Sequence, residues 1–229
     1  MINPLDLYAK IESLIGFDEQ YEKLYQIYLQ LLHSSQIKNI LDVGCGNGKF
    51  LKHLQNEHFN ACGIDRSAAM VERALSLGVD ASTKELDAFE EGSFGCVVAI
   101  ADVLNYISPA ELGPFFEAVA RVLPKDGYFI CDVNTLYGFE GVADGVMCHD
   151  KVNQFLCVEA VFENKELLTK IVLFEKEGEL YRKEEGTITQ YFHSLSFFKK
   201  LKMFKLSSTK SVTLFGDEPD KTILVLQKR

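Results

Sequence analysis

The sequence predicts an α/β protein: a doubly wound sheet of seven strands, mostly parallel, interrupted by an antiparallel β insertion. Three observations predict it. Short, nearly all-apolar runs alternate with amphipathic helical segments between residues 39 and 133. The first run ends in a glycine turn, Asp42-Val43-Gly44-Cys45-Gly46-Asn47-Gly48. After Asn134 the helical period gives way to strand-like segments joined by tight polar turns.

Residues 5–32 read as two helical pieces broken near Gly16. Leu7, Ile11, Leu14 and Ile15 recur at helical spacing, and so do Tyr21, Leu24, Tyr25 and Tyr28, then Leu31 and Leu32. Residues 39–43 are the first strand, 49–56 a helix and 60–64 the second strand. Residues 67–77 are a helix with Ser67 as N-cap and Met70, Val71, Ala74 and Leu75 as its apolar face. Residues 79–84 form a weak third strand. Residues 94–100, with no polar side chain, form a strong fourth. Residues 109–123 carry Leu112, Phe115, Phe116, Val119, Val122 and Leu123 at buried helical spacing. A Pro124-Lys125-Asp126-Gly127 turn leads to the fifth strand, 128–133. Three strands follow, 155–162, 167–174 and 180–192; in the third, Lys183, Glu184, Glu185 and Thr187 dilute the apolar content, which suggests an antiparallel sheet with one wet face. A helix at 196–203 and strands at 206–215 and 221–228 close the chain. The expected division is an N-terminal helical cap (1–36), a core (37–137 with 193–229) and the insertion (138–192).

With 229 residues, 47% of them apolar, the chain can bury a full core without disulfides or metals. No apolar run is long enough to span a bilayer, and the start lacks a basic segment before a hydrophobic one, so a cytoplasmic protein away from membranes is expected. A net charge of −9 argues against a broad nucleic-acid-binding surface. The six cysteines include no C-x-x-C pair, so no zinc or other metal site is expected. Cys96 and Cys131 sit in apolar runs, and the cysteines read as small buried hydrophobes in a reducing compartment. Lys199, Lys200 and Lys202 read as a solvated helix face.

A strand that ends in glycines and opens into a helix can admit a nucleotide against its backbone. Gly44, Gly46 and Gly48 alone also fit a tight turn that binds nothing. Asp65, at the end of the second strand, stands where a doubly wound fold puts a ribose-binding carboxylate. Even glycine spacing and Lys49 at the last position differ from the dinucleotide pattern G-x-G-x-x-G. Asp42 before the turn would repel a pyrophosphate and attract a cofactor carrying a sulfonium and an ammonium. An NAD-dependent oxidoreductase is therefore disfavoured.

These segments resemble a family. Residues 40–48 look like motif I of class I S-adenosylmethionine-dependent methyltransferases, which have a Rossmann-like fold, and residues 62–70 are similar to their second motif. Asp102-Val103-Leu104-Asn105-Tyr106 resembles their segment after strand four, and residues 123–130 the turn before strand five. The resemblance implies S-adenosyl-L-methionine as cofactor, held by Asp42, Gly44, Cys45, Gly46 and Gly48. It implies that Asp65 holds the ribose, that Arg66, Met70, Glu85 and Leu86 border the adenine, and that Ala101 and Asp102 flank the site. Asp87 competes with Glu85. The sequence departs from the family pattern at Gly95, where Asp is usual, and at Glu85, again usually Asp. The motifs run from about Tyr21 to Thr135, and residues 138–192 match none.

Methyl transfer from a sulfonium is an in-line displacement that needs alignment and exclusion of water more than a strong base. The catalytic residue therefore stays unassigned. Tyr106, Asp132, Tyr137, His149 and His193 are candidates, each with a plain packing role as its alternative. The expected acceptor is a small molecule, met by Tyr21, Tyr25, Tyr106, Asn134 and Tyr137. The insertion rises from the carboxyl edge of the sheet and is read either as a lid or as a dimer interface, so monomer and homodimer both stay open. A protein that binds the cofactor or its demethylated product without transferring methyl groups is the alternative function.

Overall fold

The computed structural model describes residues 4–33 and 37–229. The rest of the expected N-terminal cap, residues 1–3 and 34–36, lies outside the described residues. Helices α1 (Pro4–Ile15) and α2 (Asp18–His33) are separated at Gly16-Phe17, as the periodicity predicts. The core then alternates β1 (Asn39–Val43), α3 (Lys49–Asn56), β2 (Asn60–Ile64), α4 (Ala68–Ser76), β3 (Ala81–Ser82), β4 (Cys96–Ala99), α5 (Leu112–Val122) and β5 (Tyr128–Asn134). The insertion comprises β6 (Gly145–Lys151), β7 (Gln154–Glu163), β8 (Glu166–Glu177) and β9 (Leu180–Tyr191). A short helix α6 (Leu195–Phe198) and strands β10 (Phe204–Val212) and β11 (Lys221–Lys228) complete the chain.

The seven core strands are ordered β10-β11-β5-β4-β1-β2-β3. β11 runs antiparallel to both its neighbours, and the pairs among β1 to β5 are parallel. The chain winds outward from β1 through β2 to β3, then returns to β4 on the other side. The strand order thus reverses between β1 and β4, and a crevice opens at their carboxyl ends, where doubly wound sheets bind ligands.

Neighbouring residues of each central strand enter opposite layers. Ile40, Val98, Ile130 and Ile223 pack under α2, α3 and α4, against Tyr28, Phe50 and Ala74. Their successors or predecessors Leu41, Val97, Phe129 and Leu224 pack under α5 and α6, against Phe116, Val119 and Phe198. Each large side chain so buried contributes roughly 1.5–3 kcal/mol. This two-sided burial explains why the strands read as apolar runs rather than alternations. Ser67 caps α4: its Oγ accepts the Met70 N–H at 3.2 Å.

Several expectations need correction. β3 has two residues rather than six, because after Ser82 the chain turns into a 3-10 segment (Leu86–Ala88) that buries Leu86. β4 stops at Ala99, because Ala101 and Asp102 adopt left-handed backbone (φ 63° and 58°). The insertion has four strands, not three. β6 is an edge strand with mostly exposed residues, so its hydrophobic pattern is faint. A π-helical turn, Gly138–Ala143, stands where no helix was expected. α6 covers four residues, leaving Lys199, Lys200 and Lys202 exposed beyond it.

The insertion sheet, ordered β6-β7-β8-β9, buries one face. Its Leu156, Ile171, Leu173 and Ile188 pack against Leu7 and Ile11 of α1. A buried Glu184 also accepts from Lys10 Nζ at 2.6 Å. On its other side α1 meets the core, where Ser67 Oγ donates to Asp6 Oδ1 at 2.5 Å and Asn47 Nδ2 donates to Glu12. α1 therefore sits between the insertion and the glycine turn. Among the described residues no helix is long and apolar enough to cross a membrane.

Candidate functional site

The glycine turn is held by the end of β2. Gly44 and Cys45 donate their N–H groups to the Ile64 carbonyl at 2.8 and 3.1 Å. Asp65 then bridges two loops: its Oδ2 accepts the Gly46 N–H at 2.9 Å and its Oδ1 the Ser67 N–H at 2.8 Å. Two of the glycines serve different purposes. Gly46 has φ +53°, and a Cβ there would meet nothing within 4 Å, so the open space beside it is available to a ligand. Gly48 has φ +80°, and a Cβ there would lie 2.7 Å from the Ala74 Cβ, so it is small for the sake of packing on α4.

A cavity of about 730 Å³ opens at the carboxyl ends of β1, β2 and β4. Asp42, Gly44, Cys45, Gly46, Asp65, Arg66, Met70, Glu85, Leu86 and Ala101 line it, as do Tyr21, Tyr25 and Tyr106. Asp87 lines it beside Glu85, and an Arg66–Glu85 ion pair at 3.7 Å sits at its exposed rim. Gly48 and Asp102 are not in this lining. Burial pushes the Asp42 carboxyl well above the usual carboxylate range, and the charge of Asp65 adds to the effect. Burial also raises Asp65, against the two N–H groups it accepts. Two acids with raised pKa facing one cavity favour a cationic occupant.

A second cavity of about 350 Å³ lies beyond it, under the insertion. Asp102, Asn134, Gln190 and Lys221 form its polar floor. Lys221 Nζ donates to Asp102 Oδ1 at 2.5 Å and to Asn134 Oδ1 at 2.8 Å, and Gln190 Nε2 donates to Asp102 Oδ2 at 3.0 Å. Burial works against the Lys221 ammonium, but Asp102 and Asp132 outweigh it and hold its pKa above the ordinary value. Tyr8, Tyr21, Tyr106 and Ile188 line both cavities, so the two spaces meet at this collar. Tyr8 and Tyr21 share a hydrogen bond, and burial raises all three phenols, which stay protonated near neutral pH.

The remaining candidates have other partners. The Asp132 carboxylate accepts the N–H groups of Ala101 and Asp102, both at 2.9 Å, and the Tyr28 hydroxyl at 2.8 Å. It clamps the left-handed turn after β4 and is fully buried. His193 Nε2 lies 3.0 Å from the Leu104 carbonyl and 3.1 Å from that of Ile107; two acceptors make Nε2 the protonated nitrogen, and burial lowers its pKa. His149 sits on β6 opposite Leu156, and neither cavity includes it. Tyr137 is likewise outside both linings: its ring packs beside Gly141 and Gly216, and its hydroxyl accepts the Asp217 N–H.

Sequence reasoning missed Tyr8 and Glu12 of α1, Thr187 and Thr189 of β9, and Lys221 and Gln190 of the smaller cavity's floor. Tyr8 had a faint signal, a phenol one residue from the buried Leu7. The cysteine reading also needs correction. Cys45, Cys96 and Cys131 are buried and Cys62 and Cys157 partly so, but Cys148 is exposed on the edge strand β6.

Residues 41–131, from β1 to β5, match the family model of a methyltransferase domain. A protein of Geobacillus sp. (strain WCH70) that carries a methyltransferase name is 31% identical over 144 residues, 59% of this chain and 58% of that protein. The chain thus aligns with less than two thirds of that relative. The fold is similar to a S-adenosylmethionine-dependent methyltransferase from Clostridium acetobutylicum (TM-score 0.79, 20% identity, 99% of each chain). It is also similar to the sugar N-methyltransferase KedS8 from Streptoalloteichus sp. (TM-score 0.72, 19% identity, 98% of this chain and 92% of that one). The domain match spans the glycine turn, Asp65 and the turn after β4, and the whole fold is similar to that of S-adenosylmethionine-dependent methyltransferases.

Proposed function

We propose that this protein transfers a methyl group from S-adenosyl-L-methionine to a small molecule. In this reading the larger cavity holds the donor and the smaller one the acceptor. One observation carries the proposal: the two cavities share the collar of Tyr8, Tyr21, Tyr106 and Ile188, which would set an acceptor in the smaller one beside a donor in the larger one. The residues fit the cofactor. The open space at Gly46 admits a ligand against the backbone, and Asp42 and Asp65 offer carboxylates to an ammonium and to a ribose diol. Met70 and Leu86 supply apolar walls for an adenine, with Arg66, Glu85 and Asp87 at the rim. Bound there, the cofactor supplies an electrophilic methyl group on a cationic sulfur.

The chain's own residues provide alignment and shelter. The protonated phenols of the collar can hold the acceptor's nucleophilic atom by hydrogen bonds while excluding water. Gly48, outside the cavity, shapes the turn by packing. Asp102 and Asn134 belong to the acceptor side, where Lys221 fixes both. α1 and the insertion together act as the lid, since Tyr8, Thr187 and Thr189 close the larger cavity from above. KedS8, a sugar N-methyltransferase of the same fold, makes amino sugars a sensible first set of acceptors to try.

The test is a methyl-transfer screen with labelled cofactor against pools of small amines and alcohols, run beside Tyr8→Phe. Transfer to a defined small molecule that drops with Tyr8→Phe, at unchanged cofactor affinity, supports the reading. Cofactor binding without transfer to any acceptor favours the pure binding protein instead.

A further inference from the structure

The two cysteines of the insertion face each other across neighbouring strands. Cys148 of β6 is the register partner of Cys157 of β7, and their sulfur atoms are in contact at 2.6 Å. The β6–β7 hairpin turns at Val152-Asn153, with Lys151 opposite Gln154 as its closing pair. Counting outward, Cys148 and Cys157 fall on a non-hydrogen-bonded pair, where opposed Cα atoms stand about 4.5 Å apart. That separation is within the range a disulfide spans without backbone movement. Both side chains lie on the face away from buried Leu156, and Cys148 is exposed. The other four thiols differ. Cys45, Cys62, Cys96 and Cys131 have no such partner, and burial raises all four, Cys62 to about 11. Contact with Cys148 raises Cys157 as well, so what sets this pair apart is geometry: two thiols in mutual contact on an edge strand, one of them exposed.

We propose that Cys148 and Cys157 are a reversible dithiol–disulfide site that reacts with low-molecular-weight disulfides. The thiolate of Cys148, the more exposed of the two, attacks the small disulfide, forming a mixed disulfide and releasing one small thiolate. The thiolate of Cys157 then attacks Cys148 Sγ, forming the protein disulfide and releasing the second small thiolate. The two protons lost by the cysteines end on the two released thiols. The protein pair is oxidised by two electrons and the small disulfide is reduced by two. The bond ties the edge strand β6 to β7. Gly145, Val146 and Met147 of β6 wall the smaller cavity, so oxidation stiffens that wall. The consequence for an acceptor rests on the function proposed above, but the bond itself does not.

The test is exposure of the reduced full-length protein to oxidised glutathione, followed by acid quenching, thiol counting and mass spectrometry with peptide mapping. The expected result is loss of two of the six thiols, an intact mass lower by two hydrogens, a Cys148–Cys157 cross-linked peptide, and full recovery with excess reduced glutathione. Cys157→Ser should instead retain one glutathione on Cys148. Six free thiols, stable adducts on both cysteines of the unaltered protein, or a cross-link between other cysteines would overturn the proposal. These readouts need no methyl acceptor, so they stand apart from any failure of the functional screen.

Discussion

Gly46 donates its backbone N–H to Asp65 Oδ2 at 2.9 Å, which ties the turn after β1 to the carboxylate after β2. Asp65 also accepts the Ser67 N–H, so one side chain sets the spacing of both loops that border the larger cavity. A carboxylate used this way keeps free lone pairs for a diol, and its orientation is fixed before any ligand arrives.

Asp65→Ala removes both the proposed ribose contact and the bridge. Its affinity for S-adenosylmethionine should fall by about 1.5–3 kcal/mol, or roughly ten- to 150-fold, the scale of lost hydrogen bonds to a charged group. Isothermal calorimetry measures it. An unchanged affinity would take Asp65 out of the binding role.

Gly46 and Gly48 should fail in different ways. Gly46→Val places a branched side chain in the open space of the cavity, so cofactor binding is lost while folding loses only about 1–2 kcal/mol from the left-handed backbone. Gly48→Ala drives a methyl group into Ala74, and folding loses about 2–4 kcal/mol. Thermal unfolding and calorimetry on both variants separate the effects.

Asp42 predicts a pH dependence. Burial, then the Asp65 charge, raises its pKa in the folded protein. A carboxyl with raised folded pKa stabilises the unliganded fold below its unfolded pKa of about 3.9 and loses that contribution as pH rises through the folded value. A cationic ligand needs the ionised form. Cofactor affinity should therefore weaken as pH is lowered from neutrality, starting above the range of a free aspartate. Asp42→Asn should bind weakly at every pH and flatten the profile. A wild-type affinity that does not fall with pH would contradict the assignment.

Lys221 is buried against Asp102, Asp132 and Asn134. Lys221→Met leaves two carboxylates without their cation, and folding should lose about 3–5 kcal/mol at neutral pH. Asp132 has a pKa raised by burial, so it takes up a proton on acidification above the range of a free aspartate and the loss should shrink at acid pH. Urea denaturation at neutral and acid pH checks both parts.

The glycine turn, Asp65 and the Ser67 cap were legible because their chemistry is local: a strand end, a φ that glycine favours and a cap three residues before its N–H partner. The core strands were legible because two-sided burial writes continuous apolar runs. Tyr8, Glu12 and Thr187 were not, since only the docking of α1 and β9 over the sheet brings them to the cavity. β6 was faint because an edge strand with mostly exposed residues carries little apolar pattern. The position of Asp102 after strand four points to the cofactor site on sequence grounds. The structure turns its side chain toward Lys221 and leaves Asp132, one strand over, to hold its backbone.

The most direct test of the two-cavity account is a crystal structure with S-adenosylhomocysteine bound. The account predicts the adenosyl group in the larger cavity, its ribose on Asp65, and its sulfur facing the Tyr8, Tyr21 and Tyr106 collar. A sulfur turned away from that collar, or an adenosyl group in the smaller cavity, would contradict it.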